Sequence, residues 1–397
     1  MAGSAGSLPE IVCSRGALDS MRHGHPWVWR GGIARGPMDG LVAGDLVRLV
    51  DGANATVGHG IYDPDSPIAV RVWTLGDERV GEPLFARRIE RAFAVRERLF
   101  HGGGTDAYRL LHGEGDRVPG LVLDRYAAVA VLRADGAAAE AWVARFAAVL
   151  EPALVRIDVR TLVVKRAAKG KESTLERLFG PAAPAKIEVT EHGVPFVVDL
   201  ARGQKTGAFL DQRENRRRVG LLARGRTTLN LFSYAGGFSL HAARGGSSKV
   251  TSVDIAAAAH ATAQESFTLA GTDPRAHEFV TADVFAYLAE AKRRGRTWGL
   301  VISDPPSFAP SEKALPRALA AYRALHRACA DVLAPGGLFC ASSCSSHVDA
   351  TAFATTLDDA ALGRSDLRLL ELYGPPADHP TLPAWPEGRY LKFAVLE

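Results

Sequence analysis

The sequence has 397 residues, with 47% hydrophobic and 23% charged side chains and a net charge of +4, the balance of a globular protein with two or three domains. Its four cysteines include no Cys-x-x-Cys pair, which excludes a disulfide framework and a zinc ribbon and predicts reduced, cytosolic thiols. Residues 1–7 lack the basic and apolar regions of a signal peptide, and no apolar run of about 18 residues predicts a membrane span.

The first 76 residues are predicted to form a small β-barrel domain. Strands are expected at 45–50, 55–62 and 67–73, with glycine- and proline-containing turns between them. A helix is expected over 84–100, where apolar residues recur at intervals of three and four, and His101-Gly-Gly-Gly104 ends it.

Residues 77–188 are predicted to form a central α+β domain without a recognisable catalytic motif. A hairpin is expected over 120–124 and 127–132, a helix over 137–150 and a strand over 162–165. Pro181-Ala-Ala-Pro184 is interpreted as a linker, because prolines favour extended connecting segments.

Residues 189–397 alternate between strand and helix patterns, which predicts a Rossmann-like α/β domain with a mostly parallel sheet. Helices are expected at 237–244, 256–270, 284–294, 319–333 and 352–362. Seven strands are expected, at 227–231, 249–253, 278–281, 299–303, 338–342, 367–372 and 390–396. The last two strands have no helix between them and should pair antiparallel.

Glycines and carboxylates follow the first three strands of this domain, where open α/β sheets bind their ligands. Gly236 and Gly237 permit a tight turn and a close approach of the backbone to a ligand. Asp254 ends the second strand and can accept both hydroxyls of a ribose, and Asp283 after the third strand can face an adenine. The Gly-x-Gly-x-x-Gly pattern for a pyrophosphate is missing. A nucleoside cofactor, S-adenosylmethionine, fits these residues, and a plain tight turn is the alternative.

The fourth and fifth strands end at residues that could act on a nucleobase. Asp304 is an acceptor on a stiff loop with Pro305 and Pro306, and Phe308 offers a stacking face. Cys344 lies among serines just past the fifth strand, beside the strand end that carries Asp304. A thiolate there could add to C6 of a pyrimidine so that C5 takes a methyl group. Asp304, if it carries or shares a proton, would stabilise the charge that develops at N3.

The sequence resembles the bacterial large-subunit ribosomal RNA 5-methylcytosine methyltransferases that carry an N-terminal PUA domain. The resemblance extends over nearly the whole chain, and its motifs are specific only in combination. They are His25-Pro-Trp-Val-Trp29, the segments 111–121, 204–213, 230–238 and 304–308, Ser343-Cys-Ser345, His379-Pro380 and Pro386-Glu-Gly-Arg-Tyr390.

The resemblance implies that S-adenosylmethionine is the cofactor and that Cys344, with Asp304, forms 5-methylcytosine through a covalent adduct. The residues expected at the cofactor are Lys205, Thr206, Gly207, Phe209, Phe232, Ser233, Tyr234, Gly236, Gly237, Asp254, Asp283 and Asp304. Those expected at the substrate are Pro305, Pro306, Phe308 and Arg213. Many enzymes of a related group carry a second cysteine where this sequence has Ser307, so the residue that takes the C5 proton stays unassigned.

Two basic stretches favour RNA as the partner, with a solvated protein surface as the alternative. The first, over 154–171, contains Arg156, Arg160, Lys165, Arg166, Lys169 and Lys171. The second, over 213–226, contains Arg213, Arg216, Arg217, Arg218, Arg224 and Arg226.

Two other functions stay open from the sequence. One is an RNA amino methyltransferase that acts on guanine or adenine through the Asp304 loop without a covalent step, and Cys344 argues against it. The other is a non-enzymatic RNA-binding protein with a vestigial cofactor fold, against which the retained acidic strand ends argue. Cys329 and Cys340 are expected in the core. No metal is expected, a cytoplasmic location is expected, and a homodimer is a candidate assembly.

Overall fold

The computed structural model describes residues 8–37, 39–166, 173–362, 364 and 366–397, which form two compact units. The first unit takes its described residues from Met1–Ala185, Leu200–Gly207 and Ala377–Gly388. The second takes them from Lys186–Asp199, Ala208–Pro376 and Arg389–Glu397. The chain thus passes repeatedly between the units, and the domain boundaries expected after residues 76 and 188 stay a prediction.

The N-terminal part of the first unit contains β1 (Glu10–Cys13), α1 (Arg15–Arg22), β2 (Trp27–Trp29), β3 (Ile33–Arg35), β4 (Leu46–Val50), β5 (Thr56–Tyr62) and β6 (Ile68–Leu75). The strands form one sheet in the order β2-β6-β5-β4-β1-β3, with β1 parallel to β4. The three predicted strands correspond to β4, β5 and β6. The strands β1, β2 and β3 have only three or four residues each, too few for a pattern of alternating polarity to stand out.

The rest of the first unit contains α2 (Glu82–Phe100), β7 (Ala107–His112), β8 (Leu121–Tyr126), β9 (Val129–Ala134), α3 (Ala137–Glu140), α4 (Val143–Arg156), β10 (Thr161–Arg166) and β11 (Thr174–Phe179). The strands form a sheet in the order β11-β10-β9-β8-β7. The helix predicted over 137–150 is interrupted at Trp142. Its backbone N–H bonds to the carbonyl of Ala139, and its indole Nε1 donates to the carbonyl of Gly44 across 2.7 Å.

The second unit begins with a hairpin of β12 (Lys186–Glu191) and β13 (Val194–Asp199), which was not predicted. His192 and Gly193 make its two-residue turn with φ angles of 49° and 77°, the left-handed geometry that joins antiparallel strands tightly. The hairpin lies on the helix formed by Ala257–Leu269, where the N–H of Val197 donates to Ser266 Oγ across 3.0 Å.

A seven-stranded sheet forms the centre of the second unit, as predicted. Its helices are α5 (Arg213–Leu222), α6 (Gly237–Arg244), α7 (Ala257–Leu269), α8 (Val284–Arg293), α9 (Leu315–Asp331) and α10 (Ala350–Ala361). Its strands are β14 (Thr227–Leu231), β15 (Lys249–Asp254), β16 (Glu278–Thr281), β17 (Trp298–Ser303), β18 (Leu333–Ser343), β19 (Leu369–Tyr373) and β20 (Lys392–Leu396). The strand order is β16-β15-β14-β17-β18-β20-β19, and β20 is antiparallel to both of its neighbours, as expected for the last pair.

The central strands of this sheet are buried on both faces. On β17, Val301 packs into one apolar cluster, and its neighbours Leu300 and Ile302 pack into another. Cys329 and Cys340 lie one in each cluster, and burial raises the pKa of both thiols to about 12. Both cysteines are therefore core residues, as expected. None of the helices in the described part of the chain has both the length and the apolar composition needed to cross a membrane.

Candidate active site

The loop after β14 turns sharply through residues with a left-handed backbone. Phe232 and Tyr234 have φ angles of 56° and 46°, and Gly236 has a φ of 75° at the start of α6. The N–H of Ser233 donates to the carbonyl of Val253, which holds the loop against the end of β15. A Cβ atom at Gly236 would lie 2.7 Å from the Ala263 Cβ, so only glycine fits there without displacement.

Asp254 lies at the end of β15, beside this loop. Its Oδ2 accepts from the N–H of Tyr234 and its Oδ1 from the N–H of Ala256, each across 2.8 Å. An ionised carboxylate has about four acceptor positions, so capacity for ribose hydroxyls remains. Asp283 caps α8 through the N–H of Ala286 and is exposed. This set of acceptors and glycines fits a nucleoside.

Asp304 follows β17 and is held by Gln212, a residue that the sequence interpretation missed. Gln212 Nε2 donates to Asp304 Oδ1 and to Ser342 Oγ, each across 2.9 Å. Gln212 Oε1 accepts from Asn215 Nδ2 across 2.7 Å, which fixes the orientation of the amide. Gln212 is separated from Asp304 by 92 residues, so no local pattern could reveal the contact.

Cys344 is the first residue after β18, as predicted, and its side chain is partly exposed. Its Sγ lies 4.0 Å from the carbonyl oxygen of Pro305, so the thiol is next to the Asp304 loop. The hydroxyl of Ser345 connects the two loops further, since it lies 3.0 Å from both Ser307 Oγ and Tyr322 Oη. The other three cysteines are buried, and none of the four, all of them described, forms a disulfide.

Lys392 is a second residue that the sequence interpretation missed. It contacts the turn formed by Cys344 and Ser345 after β18, here called the Cys344 turn. It is 2% exposed, and its Nζ donates to the carbonyls of Ser345 and Tyr390 across 2.6 and 2.7 Å. Burial lowers the pKa of Lys392 to about 8, against the opposing effects of Cys344 and Asp349. A single lysine within the apolar strand Lys392–Leu396 is the signal that could have identified it.

The other residues expected at the site are distributed between the units. Lys205, Thr206 and Gly207 belong to the first unit, where Thr206 Oγ1 bonds to Asp124 Oδ2 across 2.5 Å and lies 2.8 Å from the Tyr126 hydroxyl. In the second unit, the ring of Phe209 packs edge-on against Tyr234 at 5.6 Å. The rings of Phe308 and Tyr322 are in contact at 4.9 Å, so part of the face expected to stack on a base is covered within the protein.

The second basic stretch differs most from expectation. Arg213 is 2% exposed and pairs with Glu214, so the structure gives no support to a substrate contact at this side chain. Arg216 makes two hydrogen bonds to the fully buried Glu191, and His241 lies 3.1 Å from the same carboxylate. Arg216 is therefore a buried structural residue and not part of an RNA-binding surface. Arg217 and Arg224 are exposed.

The first basic stretch is also largely engaged within the first unit. Arg156 pairs with Glu90, and Arg166 pairs with Glu140 and Glu176. Lys165 is buried and donates to two backbone carbonyls. Arg160 is exposed, whereas Lys169 and Lys171 lie outside the described residues.

Two distant motifs meet within the first unit. Asp378 Oδ2 accepts from the N–H of Arg109, and the ring of His379 lies 5.0 Å from that of His112. A Cβ atom at Gly115 would lie 1.9 Å from the carbonyl oxygen of Pro380, so the segments 111–121 and 377–388 are in backbone contact. These motifs therefore build the fold of this unit.

The sheet order of the second unit, the acidic side chains at its strand ends and the two loops that carry Asp304 and Cys344 indicate an enzyme that uses a nucleoside cofactor. Residues 98–387 match the profile of the S-adenosylmethionine-dependent methyltransferases, and residues 11–75 match that of a PUA-like domain. The chain belongs to this methyltransferase family, and S-adenosylmethionine is its cofactor.

Relatives of known name extend over the whole chain. It is 38% identical over 410 residues to the ribosomal RNA large subunit methyltransferase of Deinococcus radiodurans, with 100% of each chain covered. It is 35% identical over 392 residues to ribosomal RNA large subunit methyltransferase I of Klebsiella pneumoniae, with 97% of each chain covered. A SAM-dependent methyltransferase structure from Streptococcus mutans has 25% identity and a TM-score of 0.85 over 98% of this chain and 99% of its own. A methyltransferase structure complexed with SAH has 25% identity and a TM-score of 0.86 over the same shares.

Proposed function

We propose that this enzyme methylates C5 of a cytosine in large-subunit ribosomal RNA through a covalent adduct with Cys344. The observation that carries the proposal is the position of Cys344, a partly exposed thiol one residue beyond β18 and 4.0 Å from the Pro305 carbonyl. The RNA substrate is supported by the names of the relatives from Deinococcus radiodurans and Klebsiella pneumoniae.

The proposed chemistry requires a nucleophile from the protein, because C5 of cytosine is itself too weak a nucleophile to take a methyl group directly. The Cys344 thiolate adds to C6, and the electron pair moves towards C5 and N3, where a proton that Asp304 carries or shares stabilises the charge. C5 then takes the methyl group and passes its proton to a base that is not assigned to a residue, and the C6–S bond breaks so that Cys344 leaves as a thiolate and the ring is restored. Gln212 holds Asp304 in place during these steps through its hydrogen bond to Oδ1.

The cofactor would be held by the loop after β14 and by the two acidic strand ends. Gly236 and Gly237 would let the backbone approach the ligand, Asp254 would accept from the ribose hydroxyls, and Asp283 would face the adenine. When bound, S-adenosylmethionine supplies the methyl group. The contacts expected from Lys205, Thr206, Gly207, Phe209, Phe232, Ser233 and Tyr234 are part of the same proposal.

RNA binding would draw on exposed arginines of the basic stretches, such as Arg160, Arg217 and Arg224, and on the PUA-like domain. Neutralising an arginine that binds a phosphate should reduce the log–log dependence of RNA affinity on salt by about 0.7–0.9. A ribosomal RNA substrate would place the enzyme in the cytoplasm. A homodimer has no support from these similarities and stays a prediction.

The proposed adduct can be trapped with RNA that carries 5-fluorocytidine at the target, because fluorine cannot leave C5 as a proton does. We expect a protein–RNA species that survives denaturing electrophoresis with the natural chain and with Cys340→Ser, and none with Cys344→Ser. Methylation by Cys344→Ser at the natural rate would instead support an amino methyltransferase that works through the Asp304 loop. RNA binding without any methyl transfer would support the non-enzymatic alternative.

A further inference from the structure

We infer that Lys392 is a positioning residue for Cys344, whose buried ammonium group fixes the Cys344 turn and favours the thiolate form of the side chain. The inference rests on the proposed covalent mechanism, for which a nucleophilic thiolate is required. It adds to that mechanism a cation supplied by the protein itself.

The position of Lys392 is set by the sheet. β20 pairs antiparallel with β18, and Lys392 lies opposite Ser343, the residue before Cys344. Its Nζ then reaches the carbonyl of Ser345, the residue after Cys344, and also that of Tyr390. Lys392 is thus paired with the residue before the cysteine and hydrogen-bonded to the residue after it. It connects the turn to the antiparallel strand.

The positive charge of Lys392 is buried without a carboxylate partner among the described residues. Among the described residues, no carboxylate oxygen lies within 4.0 Å of its Nζ, and the two contacts it makes are to neutral carbonyls. Burying an ammonium group without an anion is costly. A thiolate at Cys344 would supply the missing negative charge, and the attraction between the two groups already opposes the effect of burial on the pKa of Lys392.

The other titratable groups named around the turn do not supply a positive charge that would favour a thiolate at Cys344. Asp304 lies at the end of β17 and is occupied by Gln212, and Tyr322 on α9 contributes a hydroxyl whose pKa is raised by burial. His347 and Asp349 precede α10, and Asp349 acts on Lys392 from there. Neither carboxylate would favour a second negative charge at Cys344, so Lys392 is the group suited to do so. When the thiolate forms, the thiol proton passes to solvent and Lys392 keeps its own.

The test measures the reactivity of Cys344 in the full chain without RNA. Alkylation by iodoacetamide is followed by mass spectrometry of the peptide that contains Cys344, from about pH 6 to about pH 10. Lys392→Gln keeps a hydrogen-bond donor for the carbonyls but removes the charge. We expect it to slow alkylation at pH 7 by about tenfold and to move the midpoint of the rate profile up by about one pH unit. Methylation should recover as the pH is raised.

Matched variants separate charge from packing. Lys392→Arg should keep a profile close to that of the natural chain. Lys392→Met is a second neutral variant that should give the same slowed profile as Lys392→Gln, so the test can still be made if one of the two folds poorly. Lys249→Met removes an exposed lysine from the other end of the sheet and should change nothing. Superimposable alkylation profiles for Lys392→Gln, Lys392→Met and the natural chain would overturn the inference. That result would leave the 5-fluorocytidine adduct intact, whereas loss of the adduct alone would overturn the covalent mechanism.

Discussion

The side-chain amide of Gln212 donates to Oδ1 of Asp304 across 2.9 Å, and the same nitrogen also donates to Ser342 Oγ. The Gln212 side chain, which is 3% exposed, therefore connects the ends of strands β17 and β18, which lead into the loops that carry Asp304 and Cys344. Through this bond Gln212 holds Oδ1 of Asp304 as an acceptor.

Replacing Gln212 by leucine should lower kcat by about 10- to 150-fold, the effect of losing about 1.5–3 kcal/mol from a hydrogen bond to a charged group. Steady-state methylation kinetics would measure it, with the affinity for S-adenosylmethionine determined separately by calorimetry. Gln264→Leu, a change at an exposed position on α7, is the control. A natural kcat in Gln212→Leu would mean that Asp304 is held by other contacts.

The geometry of Gly236 predicts a loss of cofactor affinity in Gly236→Ala. The added Cβ meets both a left-handed backbone and the Ala263 Cβ at 2.7 Å, so the loop after β14 must move. Gly271→Ala is a matched control, because Gly271 has a φ of 69° and nothing within 4 Å of its Cβ position. Both variants should lose about 1 kcal/mol of unfolding free energy from backbone strain. Only Gly236→Ala should show a raised Kd, and equal Kd values would place the cofactor away from this loop.

Adjacent arginines on α5 should differ sharply in their contribution to stability. Arg216→Met leaves the buried Glu191 without its guanidinium partner, which should cost about 3–5 kcal/mol in the free energy of unfolding. Arg217→Met removes an exposed charge and should change that free energy by less than about 0.5 kcal/mol. Urea unfolding would measure both. If Arg216→Met were as stable as Arg217→Met, the ion pair would be worth no more than its apolar replacement.

Acid should destabilise the second unit through two glutamates. Burial raises the pKa of Glu191, but Arg216 and His241 outweigh it and hold the pKa well below 4.5, and His192 and Arg213 similarly lower that of Glu214 to about 2. The unfolded chain therefore binds more protons in acid. The stabilisation is present above about pH 4.5 and is lost as the pH falls towards 2.

Urea midpoints measured at decreasing pH would follow this loss. Glu191→Gln should flatten the dependence on pH, whereas Glu188→Gln, an exposed change on the same hairpin, should leave it as it is. An unchanged slope in Glu191→Gln would assign the acid sensitivity to other carboxylates.

The periodic part of this structure was predictable because its signals are local. The seven strands of the central sheet and the position of Cys344 just past β18 follow from apolar runs and turn residues, each read within a few positions. The hairpin at His192 and Gly193 also has a local signal, a two-residue turn between alternating segments, although it was not predicted.

The contacts that complete the site could not be predicted in this way. Gln212 reaches Ser342 across 130 residues, and Lys392 acts on a turn 47 residues earlier in the chain. The Gln212 contact depends on where α5 packs against the sheet, and the Lys392 contact depends on the register of β20 against β18. No short pattern encodes either. The prediction for Arg216 was wrong for a related reason. An arginine within a basic run is expected at the surface, and only its buried partner, Glu191, explains why Arg216 is buried.

Residues 377–397 contribute to both units, since Ala377–Gly388 belongs to the first and Arg389–Glu397, with β20, to the second. During synthesis on the ribosome, an N-terminal domain ordinarily folds before the rest of the chain has emerged. Here each unit lacks a part until residues 377–397 have left the exit tunnel. A chain cut short before residue 377 would lack a part of each unit, so premature termination should give a product for proteolysis and not a working fragment.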